Sequence, residues 1–170
     1  MSVLSTAFAE HPILPHPSDA FLNKLRNNAT QPNAYKAAAD SYNPNGSHSI
    51  DGVVKLCTYY LATKNFVYLE KIKTIATGTF PNCYTHKEGL AEQAIAYDWI
   101  YNDLDATTRA NFLRSIKTLS AAWQDNYVNQ IRVSPYNDVG YIRLGWSIFA
   151  AAPVIYEDDP AGSAAYYNFA

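Results

Sequence analysis

Side chains that could carry chemistry stand just ahead of three apolar segments of this sequence. Each position combines a tyrosine with a histidine or an asparagine. The three pairs are Tyr42 with His48, Tyr84 with His86, and Tyr136 with Asn137. A histidine can act as a base near neutral pH, a tyrosine can donate or accept a proton, and an amide N–H can stabilise a developing negative charge. These residue types suit proton transfer at an anionic ligand.

The segments that follow these residues decide whether the pairs can meet. Residues 50–62, 88–102 and 138–152 are apolar around most of a helical circumference, so each predicts a helix that is buried on most sides. If these inner helices run parallel, the loops ahead of them open at the same end. Helix N-termini there would add free N–H groups and positive dipole ends, which favour an anion such as a uronate carboxylate.

One-sided helices follow the buried ones. Residues 66–78 place Phe66, Leu69, Ile72 and Ile75 on one stripe. Residues 106–127 begin after Asp105 as the predicted N-cap. Their stripe consists of Phe112, Leu113, Ile116, Leu119, Trp123 and Tyr127. A buried helix followed by a covering helix predicts an all-α fold of antiparallel helical hairpins in two layers.

The first residues differ from the rest of the chain. Pro12, Pro15 and Pro17 predict an extended N-terminal arm over residues 1–17, because proline lacks a backbone donor and restricts the residue before it. Ser18 is the predicted N-cap of the first helix, and Pro32 stands near the start of the second. Residues 18–170 are predicted to form a single helical domain.

Composition excludes several classes of protein. The 170 residues are 48% hydrophobic and 16% charged, which indicates a globular chain with a sizeable core. A net charge of −2, with scattered Lys and Arg residues, disfavours nucleic acid as a partner. No apolar run approaches the roughly 18 to 20 residues of a transmembrane helix. We find no metal or cofactor signature, so none is predicted.

Two hairpins resemble a known family. The stretch "YYLATKNFVYLEKIKTIA" and the stretch "EQAIAYDWIYNDLDATTRANF" are similar to hairpins in the N-terminal (α/α) toroid of the heparinase II/III-like and alginate-lyase-like polysaccharide lyases. A looser similarity continues through "YNDVGYIRLGWSIFAAAPVIYEDDP", so the resemblance covers roughly residues 50–160. It implies a partial toroid, the N-terminal part of a larger one, and a periplasmic or secreted location, although no convincing signal peptide stands in this chain.

The resemblance also implies a reaction, β-elimination of an acidic polysaccharide. Asn137 would neutralise the uronate carboxylate, and Tyr136 or His86 would move the proton. The implied substrate-binding residues are His48, Tyr42, Tyr84, Arg143 and Trp146.

Structural roles for these residues remain open. Asn137 could cap the helix that follows it, and Arg143 could pair with Asp138 or Asp98. For Asp98 itself, a hydrogen bond to a neighbouring helix or loop is the expected role.

A non-catalytic role is the alternative function. Lyases of this type commonly have a histidine after the asparagine, whereas Asp138 follows Asn137 here. The chain could therefore bind glycan or act as a scaffold or assembly subunit.

The apolar segment 139–156 must be covered by other protein surface, because a large apolar patch is unfavourable in water. We expect either self-association through it or closure by residues 163–170 folding back.

Overall fold

The computed structural model describes residues 10–28, 33–46, 49–77, 89–131 and 147–169, and over these residues it contains helices and connecting turns but no strand. The helices are α1 (Asp19–Asn27), α2 (Ala34–Ser41), α3 (Ile50–Thr63), α4 (Phe66–Ile75), α5 (Gly89–Ile100), α6 (Ala106–Ile131), the helical residues 147–154 (α7) and α8 (Pro160–Phe169). A 3₁₀ turn at Tyr101–Asp103 follows α5. The predicted all-α class is confirmed.

Six of the described helices begin at a short polar residue whose side chain accepts a backbone N–H of the first turn. These N-caps are Ser18, Asn33, Ser49, Asn65, Asp105 and Asp159. Each satisfies a donor that the helix itself leaves unpaired. The predicted caps Ser18 and Asp105 are therefore confirmed, and α2 takes its cap from Asn33.

The core lies between α3 and α5, which pack against each other. Ten of the twelve residues of α5 are buried, as its all-round apolar pattern predicted. In α3 the buried residues include Val53, Leu56 and Cys57, all fully enclosed. The helices α1, α2 and α4 pack on α3, and α4 and α6 pack on α5.

The covering helix α6 follows the predicted stripe as far as the structure describes it. Phe112 and Ile116 are fully buried, Leu119 is nearly so and Leu113 is partly buried. The side chains of Trp123 and Tyr127 lie outside the described part of the chain.

The predicted stripe of α4 is wrong at Phe66, whose side chain is 65% exposed. The buried face carries Tyr68, Ile72 and Ile75. Tyr68 is held inward because its hydroxyl donates to Asp40 at 2.6 Å. Residues 66 and 68 point about 200° apart on a helix, so burial of Tyr68 turns Phe66 toward solvent.

Contacts at both ends show that α3 and α5 run in the same direction. Lys64, the C-cap of α3, places its Nζ 2.5 Å from Oδ2 of Asp103, just after α5. At the other end, Tyr42 packs on the first turn of α3 and has Glu92, in the first turn of α5, as a charged neighbour. A shared direction is what the two-layer prediction requires of neighbouring inner helices. The (α/α) toroid is a finer prediction, and it stays one.

The C-terminal helix folds back on the bundle, as one of the two expected alternatives requires. Its Ser163 hydroxyl donates to the carbonyl oxygen of Ala152 in α7 at 2.7 Å, and α8 also packs on α6. Four residues of α7 are fully buried: Ile148, Ala151, Ala152 and Val154. Phe149 and Tyr167 remain half-exposed and form an edge-to-face pair with ring centroids 5.8 Å apart. Self-association, the other alternative, stays a prediction.

Candidate functional site

Tyr42 is the predicted site residue that the structure describes. The other predicted residues lie outside the described residues, namely His48, Tyr84, His86, Tyr136, Asn137, Arg143 and Trp146. The geometry at the N-terminal ends of α3 and α5 is therefore built from Tyr42 and its described neighbours.

Tyr42 is half-buried against the start of α3. A Cβ atom at Gly52 would come within 3.3 Å of two carbons of the Tyr42 ring, so the missing side chain at Gly52 allows the close approach. Burial, and then the charge of Glu92, raise the pKa of the Tyr42 phenol well above its ordinary value of 10.0. At neutral pH the Tyr42 phenol is therefore protonated and can donate a hydrogen bond.

Polar side chains line the beginning of α5 as well. Glu92 is 1% exposed and belongs to the first turn, where the positive end of the helix dipole favours a carboxylate. The neighbouring Gln93 is fully buried, and its Nε2 donates to the carbonyl oxygen of Ile75 at 2.7 Å. That bond ties the C-terminal end of α4 to the beginning of α5, just after its first turn. The end of the bundle at which α3 and α5 begin thus combines a protonated phenol with a buried acidic side chain.

A second cluster surrounds the carboxylate of Asp98 near the C-terminal end of α5. Asp98 is fully buried, and its oxygens lie 2.7 Å from Nδ1 of His11 and 2.8 Å from the backbone nitrogens of Ile13 and Leu14. A buried carboxylate needs such donors, because an unpaired charge costs several kcal/mol to remove from water. The prediction that Asp98 hydrogen-bonds a neighbouring segment is confirmed, and the segment is the N-terminal arm.

His11 is enclosed by aromatic rings. Its imidazole stacks on Tyr101 with ring centroids 3.9 Å apart and meets Tyr97 edge to face at 5.9 Å. Its side chain is 1% exposed, and Nε2 lies 4.0 Å from Oε2 of Glu157. A carboxylate that orients an imidazole is common in acid–base catalysis. Here Nδ1 of His11 faces Asp98, Nε2 faces Glu157, and the ring is buried. The His11–Asp98 pair therefore holds the N-terminal arm in place.

Tyr97 and Tyr101 connect this cluster to the turn before α8. Both hydroxyl groups donate to the carboxylate of Asp158. Burial, and then the hydrogen bond to Asp158, raise the pKa of Tyr97 above its ordinary value. The Arg109 guanidinium lies 4.8 Å from the centroid of the Tyr101 ring. The cluster therefore joins the arm, α5, α6 and the turn.

Reasoning from sequence missed His11, Tyr101 and Asp158 as partners of this cluster. A signal existed only at Asp98, which is a charged residue in the apolar second half of α5. Such a residue must find donors, but nothing in its spacing points to a histidine 87 positions earlier.

Among the described residues, no group of three or more His, Cys, Asp or Glu side chains could hold a metal ion. None of the helices in the described part of the chain is both long and apolar enough to cross a lipid bilayer, in agreement with the sequence prediction.

No protein-family model, curated protein or solved structure matches this chain.

Proposed function

We propose that this chain is a helical domain of the polysaccharide-lyase type that binds an acidic, uronate-containing polysaccharide and cleaves it by β-elimination. The observation that favours this function is the shared direction of α3 and α5, with Tyr42 beside Glu92 where both helices begin. His48 directly precedes the N-cap of α3 in sequence, and His86 stands three residues before α5.

In the proposed reaction a base removes the proton alpha to the uronate carboxylate. The electron pair forms a carbon–carbon double bond as the bond to the leaving oxygen breaks, and that oxygen takes up a proton. Asn137 neutralises the carboxylate, and Tyr136 or His86 moves the proton. Tyr42 contributes as a donor to the sugar, because its raised pKa keeps the phenol protonated.

Incubation with alginate, heparan sulfate and chondroitin sulfate tests the proposal, with ultraviolet absorbance reporting the unsaturated product. We expect Asn137→Ala to lower kcat/KM about 100-fold or more, the usual loss when a donor to the developing charge is removed. Tyr42→Phe should raise KM about 2- to 10-fold, the effect of one neutral hydrogen bond. Tyr167→Phe, in an exposed tyrosine of α8, is the matched control and should change neither constant.

A non-catalytic glycan-binding or scaffold role is the second candidate. This role is favoured by the described histidine–carboxylate pair of His11 and Asp98. The pair is buried near the C-terminal end of α5, where it holds the N-terminal arm in place. Calorimetry with uronate and neutral oligosaccharides separates the two functions. Selective binding of uronates without product would favour the second candidate, and turnover lost in Asn137→Ala would exclude it. Neither binding nor turnover by a folded chain would contradict both the lyase and the glycan-binding role and would leave the scaffold role.

A further inference from the structure

The contacts of the N-terminal arm, residues 10–17, converge on the C-terminal end of α5. Besides the three contacts with Asp98, the Nδ2 of Asn102 donates to the carbonyl oxygen of His11 at 3.3 Å. The arm has no helix of its own, and its three prolines supply no backbone donor. Apart from the packing of Leu14 against the core, its attachment therefore depends on a small number of contacts around one buried carboxylate.

The turn at residues 155–159, between α7 and α8, reaches the same place from the other side. Its Asp158 accepts hydrogen bonds from Tyr97 and Tyr101, the two rings that enclose His11. Its Glu157 comes within 4.0 Å of Nε2 of His11. The arm and the turn are 138 or more residues apart in sequence, yet they share the same two tyrosines.

We propose that the arm and the 155–159 turn form one cooperative unit. Contacts with Asp98, Tyr97 and Tyr101 hold this unit against α5, and the unit opens without unfolding of the α3–α5 core. When the arm leaves, Tyr101 loses the imidazole stacked on it and Tyr97 loses its edge contact. These tyrosines position the hydroxyl groups that hold Asp158, so release of the arm loosens the turn. The coupling is reciprocal, because release of the turn removes the bonds that orient the rings around His11.

Segments held by few contacts open at lower free energy than a packed core. In the turn, Ile155 is buried in the core and stays there, whereas residues 156–158 are exposed. The arm amides in question are those of Ile13 and Leu14, which donate to Asp98. The corresponding turn amides are those of Asp158 and Asp159, which donate to the carbonyl oxygen of Ile155 at 3.2 and 2.7 Å. Each pair reports directly on one half of the unit.

Amide hydrogen exchange of the full chain, resolved by residue, tests the coupling. In Asp98→Asn we expect exchange at Ile13 and Leu14 to accelerate at least tenfold, and exchange at Asp158 and Asp159 to accelerate by a similar factor. Amides in the middle of α3 should keep their rates. Acceleration confined to the arm would overturn the proposal.

The reciprocal variant, Asp158→Asn, begins at the other half. Asp158 is exposed, so the substitution leaves the core intact even if Asp98→Asn unfolds the chain. We expect Ile13 and Leu14 to exchange at least tenfold faster in this variant, and unchanged arm rates would overturn the proposal. Asp51→Asn is the control, because it breaks an exposed ion pair with Lys55 on α3 and should leave arm and turn rates unaltered.

Discussion

At the scale of single residues, the environment of a side chain rather than its type sets its contribution to stability. Phe66 and Phe112 show this within one residue type. Phe112 is fully buried against the ring of Tyr97, with centroids 5.8 Å apart, whereas Phe66 is 65% exposed. The sequence placed both on apolar stripes, so it could not tell them apart.

Truncation of these two phenylalanines should therefore have unequal effects. We expect Phe112→Ala to lower the free energy of unfolding by about 3–5 kcal/mol, since it leaves a cavity in the core. Phe66→Ala should lower it by about 0.5 kcal/mol or less, as expected of a surface substitution. Urea denaturation of both variants measures the difference. Equal losses would show that Phe66 is buried.

At the scale of elements, helix starts are governed by polar caps, and α6 has the most extensive one. Asp105 accepts the backbone N–H of Thr108 at 2.8 Å and the Thr108 hydroxyl at 3.0 Å, and Lys73 lies 3.5 Å away. The hydrogen bonds from Thr108, and then Lys73, hold the pKa of Asp105 below its ordinary value of 3.8. A lowered carboxyl pKa means that its contribution to stability is present above that ordinary value and is lost as the pH falls through the folded-state pKa.

Substitution of Asp105 should show both the cap and its titration. Asp105→Ala should lower the melting temperature at pH 7 by about 2–4 °C, the effect of losing one N-cap in a chain of this size. Asp105→Asn keeps an acceptor but cannot ionise, so its melting temperature should approach that of the original chain as the pH falls from 7 to 3. Thermal melts followed by circular dichroism at the two pH values provide the measurement. An alanine variant that melts like the original chain would show that the cap does not contribute.

At the scale of the whole molecule, one apolar core connects most of the described helices. The buried cluster runs from Ala39 in α2 to Tyr166 in α8, and Leu14 of the arm packs against it. A continuous core implies cooperative unfolding, because no group of helices can leave without exposing the interior of the rest. The sequence prediction of a single domain over residues 18–170 has the same consequence.

Urea unfolding should accordingly be a single transition. Far-ultraviolet circular dichroism follows the helices, and tryptophan fluorescence reports on Trp99, which is half-buried in α5, together with Trp123 and Trp146. We expect the two signals to give the same midpoint within error. Separate midpoints would contradict the single domain.

The sequence by itself determined the helical class and the order of buried and covering helices. It could do so because helical periodicity and capping residues act over a few positions, as in the all-round apolar α5 and at Asp105. It also determined that Asp98, a charge in an apolar helix, must be hydrogen-bonded. These are statements about a residue and its near neighbours along the chain.

Only the tertiary structure decided which distant residues meet. The rotation of α4 depends on the bond from Tyr68 to Asp40, and the partners of Asp98 come from an arm 84 to 87 residues earlier. The meeting of His11 with Glu157 joins residues near the two ends of the chain. Periodicity could not predict these pairings, because they arise from how whole helices pack, and a helix can rotate or shift against its neighbour without any change in its own pattern.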